Sequence, residues 1–437
     1  MRLTCINTVS GMAFLSVIAV VSCFPHFTSG KAEDGDAMVT FSRQIAPLIY
    51  AHCTGCHRKG EAAPFELFTY ADARKHAKDI ADLTQRRVMP PWKAEHAFGE
   101  FVGERRLNIE QIELLQQWVK EGCPAGDLSS APQPPTFAEG WQLGEPDMVV
   151  TMPEAYSLVA EGRDVYRCFV IPLQVPSGKY IKSVEYRAGN RKIVHHAVLT
   201  MMPHNKAIEK LAGGDGKSFS SGLNAPGQRL PGPLGIWTPG LEPQPLPQGF
   251  AVPWRAGFDL VLQLHLHPSG KAESEQSSVG LHFTDEAPRG HFESLVLLDK
   301  QVDISAGEGN YVVDKSIAIR AAVQAYGIFP HMHLLGRTVK VTATLPDGTI
   351  RPLLSIVDWD FNWQNYYQYQ TPVLLPAGTR VDAHWTFDNS AANPANPSIP
   401  PKRVVFGEQT TNEMAALLLD VIPAPAHSDP ARAPIDH

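Results

Sequence analysis

From Met148 onward the chain is written in short alternating or apolar runs separated by Gly, Pro and Asn, and this pattern limits its fold more than any other feature. Period-two alternation puts successive side chains on opposite faces, so such runs pack as sheets; no run here has the 3.6-residue period of a long helix. Strands are expected at Val165–Leu173, Tyr180–Arg187, Ile193–Met201, Phe258–His267, Val279–Phe283, Ser316–Ile328, Thr338–Leu345, Arg380–Phe387 and Ala415–Val421. Their number and span suit two all-β sandwich (jelly-roll-like) domains in series, at 146–298 and 299–424, with a flexible tail at 425–437. The interval Pro203–Trp254, dense in Gly and Pro and without periodicity, is expected to be a functional lid.

Within this region Tyr326-Gly-Ile-Phe-Pro-His-Met-His-Leu-Leu-Gly-Arg337 reads as a strand. On one, His331 and His333 share a face and offer two imidazoles to a single metal ion. Alone, His-x-His is as readily a solvated surface pair. His195-His196, His265-x-His267 and Met414 enlarge the donor set. Neighbours on a regular strand point opposite ways, so His195 and His196 can share a metal only at a bulge or a strand end. Spacing does not choose between His265 and His267.

The first part of the chain is different. Cys53-Thr-Gly-Cys-His57 is the attachment sequence of a c-type haem, with two thioethers to the haem and His57 as an axial iron ligand. A zinc or redox Cys-x-x-Cys is disfavoured by the immediate His and the lack of a second Cys pair. Helices are expected at Phe41–His52, Tyr70–Arg87 and Asn108–Glu121, the last with Ile109, Ile112, Leu115, Trp118 and Val119 at helical spacing. Residues 38–128 thus resemble the all-α cytochrome c fold, in which Met89, between the second and third helices, is placed as the sixth ligand. A Pro-, Ser- and Ala-rich linker at 129–145 follows.

Arg2, the apolar run Met12–Cys23 and the small polar residues after it have the layout of an export signal over 1–30, which implies a periplasmic or extracellular protein. Val20-Val21-Ser22-Cys23 also fits a lipobox, and ordinary cleavage near Ser29-Gly30 fits equally. Membrane contact is expected only through such an N-terminal lipid anchor, because no later apolar span is long enough. Of six cysteines, Cys123 and Cys168 remain outside the signal and the haem motif, and an oxidising compartment would let them pair. An excess of 45 acidic over 38 basic residues argues against a nucleic-acid partner.

Four elements occur in a telling order: Val194-His-His-Ala-Val198; Gly235-Ile-Trp-Thr-Pro-Gly240 leading into Leu262-Gln-Leu-His-Leu-His-Pro268; Pro330-His-Met-His-Leu-Leu-Gly-Arg337; and Gly407-Glu-Gln-Thr-Thr-Asn-Glu-Met414. Together they resemble the copper type II, ascorbate-dependent monooxygenases, the family of peptidylglycine and dopamine hydroxylases. The resemblance implies two copper ions. His195, His196 and His265 match the electron-transfer site, and His331, His333 and Met414 match the catalytic site, where O2 meets a small-molecule substrate. It also implies that the first copper supplies an electron to the second across a cleft. The haem, fed by an external electron donor, would then stand where animal members use ascorbate.

Departures from the family narrow the substrate. Amidating members hold a peptide carboxylate with an Arg, an Asn and a Tyr at positions occupied here by Phe329, Ala416 and Leu418, so a peptide C-terminus lacks its charge partner. The family's Cys after the Met is Ala415, and its partner near Trp385 is missing too. Two other readings stand beside this one. A non-catalytic copper-binding or electron-transfer protein would use the same scaffold; a cupin-like single-metal enzyme would need a Glu that neither His-x-His pair is followed by.

Overall fold

The computed structural model describes residues 38–61, 63–220, 228–229 and 232–424. It divides into Met1–Met38, of which only Met38 is described, and Val39–His437. The expected export signal with Cys23 and the tail at 425–437 lie outside the described residues.

A π-helical turn at Phe41–Ile45 runs into α1 (Ala46–His52), followed by α2 (Tyr70–Lys75), α3 (Ala77–Gln85) and α4 (Ile109–Lys120). Capping boxes start two of them: Thr69 with Asp72, and Asn108 with Gln111. Each satisfies two backbone N–H groups that a helix start leaves unpaired. The single helix expected over Tyr70–Arg87 breaks at His76, whose ring stacks on Phe65 at 3.7 Å. Ile112, Leu115 and Trp118 enter the helical core beside Ile45, Ile49 and Ala73, but Ile109 stays 61% exposed in the first turn.

The rest is antiparallel sheet. The first sandwich sets β1 (Met148–Thr151), β3 (Tyr180–Arg187) and β6 (Ser278–Thr284) against β2 (Val165–Ile171), β4 (Val194–Pro203) and β5 (Phe258–Leu266). Strand order is β1-β6-β3 in one sheet and β2-β5-β4 in the other. Leu260, Leu262, Leu264 and Leu266 of β5 all enter the core between them, each worth about 2 kcal/mol on burial.

In the second sandwich β7 (Glu293–Asp299), β9 (Val323–His331), β12 (Tyr367–Leu375) and β14 (Ala415–Pro423) form one sheet, ordered β7-β14-β9-β12. The other is β8 (Tyr311–Ala318), β10 (Gly336–Thr344), β11 (Ile350–Ile356) and β13 (Arg380–Phe387), ordered β8-β13-β10-β11.

Several expectations are corrected. Ser316–Ile328 is not one strand, because the chain leaves β8 at Ala318 and re-enters as β9 at Val323 in the opposite sheet. The boundary at 298/299 cuts β7, which pairs with β14 and so belongs to the second sandwich. Pro203–Trp254 is no detached lid: it holds helix α5 (His204–Ala212), Ile236–Trp237 pairs with β4, and Leu234, Trp237 and Leu246 enter the first sandwich's core. Cys123 lies in the helical core and Cys168 beside Val170, Met202 and Phe219, and no disulfide joins them.

The 38–128 part is not set off by its linker alone. Ala94 and Phe101 enter the second sandwich's core. Backbone hydrogen bonds from Glu95 to Ser355, from Val102 to Gln368 and from Gln370 to Glu100, each 2.8 Å, stitch this segment to β11 and β12.

Candidate metal centre

Alternation positions every donor. On β4, Ala197, Leu199 and Met201 face the core, which turns His196 to the outer face; on β5 the leucines do the same for His265. On β14, Ala415, Leu417, Leu419 and Val421 face the second core, leaving Ala416 and Leu418 outward. The centre lies where these two outer faces meet. An apolar seam of Ile236, Phe329, Tyr366 and Leu418 closes the contact beside it.

His265 pairs with His196 across β5 and β4, but Leu266 pairs with Val194, so His195 is the extra residue of a β-bulge. That irregularity is what two adjacent histidines need to aim at one point. His195 Nδ1 is 3.2 Å from His196 Nδ1, and His265 Nδ1 is 3.4 Å from the same atom. An ion about 2 Å from each of two imidazole nitrogens holds them about 3.3 Å apart at tetrahedral angles. All three donor atoms lie within 4.8 Å of one another.

Of His265-x-His267, the buried His265 joins His195 and His196 while His267 is exposed, and both are held by Asp164. Its Oδ2 accepts from His265 Nε2 at 2.7 Å, which fixes the tautomer that leaves Nδ1 a free lone pair, while its Oδ1 accepts from the exposed His267 at 2.7 Å. Burial opposes ionisation of Asp164, yet these two bonds hold its carboxyl down to about 2.

The second set is built differently. β9 ends at His331, so His333 stands just beyond the strand and not on its regular face, yet His331 Nε2 and His333 Nε2 approach to 3.2 Å. Each ring's other nitrogen is held: His331 Nδ1 donates to Gln364 Oε1 at 2.6 Å, and His333 Nδ1 to the Asn412 carbonyl at 3.1 Å. His331 pairs with Ala416 across β9 and β14, and the buried Met414 lies just ahead of β14, its N–H on the same Glu413 oxygen that accepts the His333 N–H.

The Glu413 carboxyl group locks that arrangement. It accepts the backbone N–H of His333 (2.5 Å), Met414 (2.8 Å) and Leu335 (3.0 Å). Burial pushes the carboxyl up to about 8 against the pull of these three donors.

Burial also keeps the rings neutral. His195 is lowered to about 3, His333 to about 4, and His196 and His265 fall below the ordinary histidine range, so their lone pairs are available at neutral pH. The two sets adjoin. The His196 ring lies edge-on 6.5 Å from the His331 ring, and Phe361 stacks on His195 at 5.2 Å while touching His333 at 5.9 Å.

In the helical part, α1 delivers Cys53 at its C-terminus, and the Cys53 carbonyl accepts from the N–H groups of Cys56 and His57. Burial, with Cys56 beside it, pushes the Cys53 thiol up to about 12. His57 Nδ1 donates to the Phe65 carbonyl at 3.1 Å, which leaves Nε2 as the free donor, the orientation an axial iron ligand needs. Met89 is half-buried in the turn after α3, its N–H on the Leu83 carbonyl. The cysteine edge faces the first sandwich: a Cβ on Gly240 would lie 2.9 Å from Cys56 Sγ and 2.6 Å from Arg105 Nη1, and Arg105 donates to the Gly240 carbonyl at 2.7 Å. A cavity of about 230 Å³ opens there, lined by Cys56, Arg105, Arg191, Trp237 and Tyr366.

Sequence reasoning missed Asp164, Tyr166, Phe361, Gln364, Thr410 and Glu413. Thr410 and Glu413 sit inside the motif ending at Met414 and were legible as neighbours; Asp164, 101 residues from His265, carried no signal at all.

No protein-family model matches the chain, and no curated protein matches it. Among solved structures it is similar to the major capsid protein P2 of bacteriophage PM2, at 10% identity and a TM-score of 0.26 over 64% of this chain and 99% of that one. It is also similar to the infectious bursal disease virus VP2 subviral particle, at 13% identity and a TM-score of 0.20 over 64% and 72%. Likenesses this slight carry no argument about function.

Proposed function

We propose that this chain is a copper-dependent monooxygenase that inserts one oxygen atom of O2 into a C–H bond of a small organic substrate, with electrons entering through a c-type haem. The observation that carries this reading is the donor arrangement: three Nδ1 atoms converging at the β4 bulge, and two facing Nε2 atoms, with the His333 and Met414 N–H groups on one Glu413 oxygen. Imidazole and thioether are donors that suit copper, and a thioether favours its cuprous state. Bound there, copper would supply one-electron redox chemistry and dioxygen activation, and haem iron on His57 and Met89 single-electron transfer.

The chain's own residues do the positioning. Asp164, Gln364 and the Asn412 carbonyl each take the proton-bearing nitrogen of a ring and so present the opposite lone pair. Glu413 sets the spacing of His333 against Met414. Phe329 and Leu418, in the apolar seam, offer no charge to a substrate carboxylate, which favours an uncharged substrate over a peptide terminus. A haem held at Cys56 would lie against Gly240, in the loop that follows Ile236–Trp237, which pairs with Ala197 and Val198 next to His196.

The test is oxygen uptake by the reduced, copper-loaded protein in a mixture of small organic molecules. Uptake should match the appearance of a product heavier by one oxygen and stop in the His331→Ala variant. A non-catalytic copper carrier would bind two copper ions and give no product.

A further inference from the structure

We propose that the five histidines form one dinuclear centre, in which ions in the two sets interact magnetically and exchange electrons directly. This inference rests on the copper reading above. Three independent contacts support it. His196 and His331, from different sandwiches, have ring centroids 6.5 Å apart. Phe361, buried between the sets, packs on His195 at 5.2 Å, on His265 at 5.8 Å and on His333 at 5.9 Å, so one side chain walls both. A hydrogen-bonded chain ties the sets together on another side. Asp164 Oδ2, which holds His265, also accepts from Thr410 Oγ1 at 3.3 Å, and Thr410 lies in the loop that delivers Glu413 and Met414. Tyr166 closes the link, stacked on His265 at 4.2 Å with its hydroxyl 3.1 Å from Thr410 Oγ1.

The consequence is physical. His196, His265, His331, His333, Met414 and Phe361 are buried and His195 is half-buried, so among the described residues the donor sets pack against each other. Electron exchange between them then needs neither domain opening nor a substrate bridge. Moving one set must move the other, because Asp164 and Thr410 join the first sandwich to the Met414 loop.

The experiment is electron paramagnetic resonance of the full chain loaded with cupric ion and measured frozen, with copper content determined on the same sample. With two ions bound, the spectrum should show a half-field transition and integrate to less than two spins. The His331→Ala variant should show an isolated cupric signal from the His195, His196, His265 set alone. Two bound ions with additive, fully integrating signals overturn the single centre while leaving the monooxygenase reading intact. Fewer than two bound ions overturn both.

Discussion

Glu413 offers the sharpest energetic test of how the second donor set is held. Its side chain is fully buried and is the acceptor for the N–H groups of His333, Leu335 and Met414. Glu413→Ala removes that acceptor. A buried polar group left unpaired costs about 1–3 kcal/mol, so three of them, partly relieved by relaxation, should destabilise the fold by about 3–5 kcal/mol. Glu413→Gln is milder. Its carbonyl can replace Oε1, which serves His333 and Met414, but its amide then meets the Leu335 N–H donor to donor. About 1–3 kcal/mol is expected for that single mismatch. Urea unfolding followed by tryptophan fluorescence measures both, and cuprous-ion affinity measured by chelator competition should fall in the same order. The reasoning fails if the Ala variant unfolds within about 1 kcal/mol of the parent, or if Gln costs as much as Ala.

Other outcomes follow from the same geometry. Because burial lowers His195 to about 3 and His333 to about 4, the unfolded chain takes up protons that the folded one refuses as pH falls below the ordinary histidine value of 6.5. The metal-free protein should therefore lose stability from pH 6.5 down to about 4 for His333 and about 3 for His195, by about 2 kcal/mol per ring at pH 5; melting curves of the parent and of the His333→Asn variant should show the parent's steeper fall. Asp164→Asn should weaken metal binding at the His195, His196, His265 set by about 10–100-fold in a competition titration, since the proton on His265 loses its carboxylate partner. The Cys53→Ala/Cys56→Ala double variant, which removes both thioethers, should lose the covalent haem mass that the parent retains on denaturation. Gly240→Val, whose Cβ would press on Cys56 and Arg105 from a backbone at φ +80°, should slow oxidation of ferrous haem in the copper-loaded protein while leaving haem and copper content unchanged, as followed by rapid mixing.

What could be read ahead of the structure was local. Tyr180–Arg187 and Arg380–Phe387 stand as expected because alternation alone decides them, and the need for a bulge at His195-His196 follows from the pleat. The parts that were misjudged depend on distant chain. Ser316–Ile328 looks continuous because Ile317–Ile328 is mostly apolar, and only pairing with different sheets separates β8 from β9. Ile109 has the right spacing for a core residue but lies in the first turn of α4, where nothing packs over it. The embedding of Ala94 and Phe101 in the second sandwich has no periodic signature at all. At the centre, the metal donors were legible as types at suggestive spacings, while their holders Asp164, Gln364 and Phe361 were not. These belong to other segments and meet the histidines only through tertiary packing.

The measurement that bears most directly on the central claim is a single turnover with isotopically labelled dioxygen. The copper-loaded protein, reduced through its haem under anaerobic conditions, is mixed with labelled O2 and a substrate identified in the uptake screen, and the product is weighed by mass spectrometry. The account predicts one labelled oxygen atom in the hydroxylated product, and loss of that product in the Met414→Ala chain, whose His195, His196, His265 set still holds copper. Unlabelled product, or labelled product formed equally well without Met414, would contradict it.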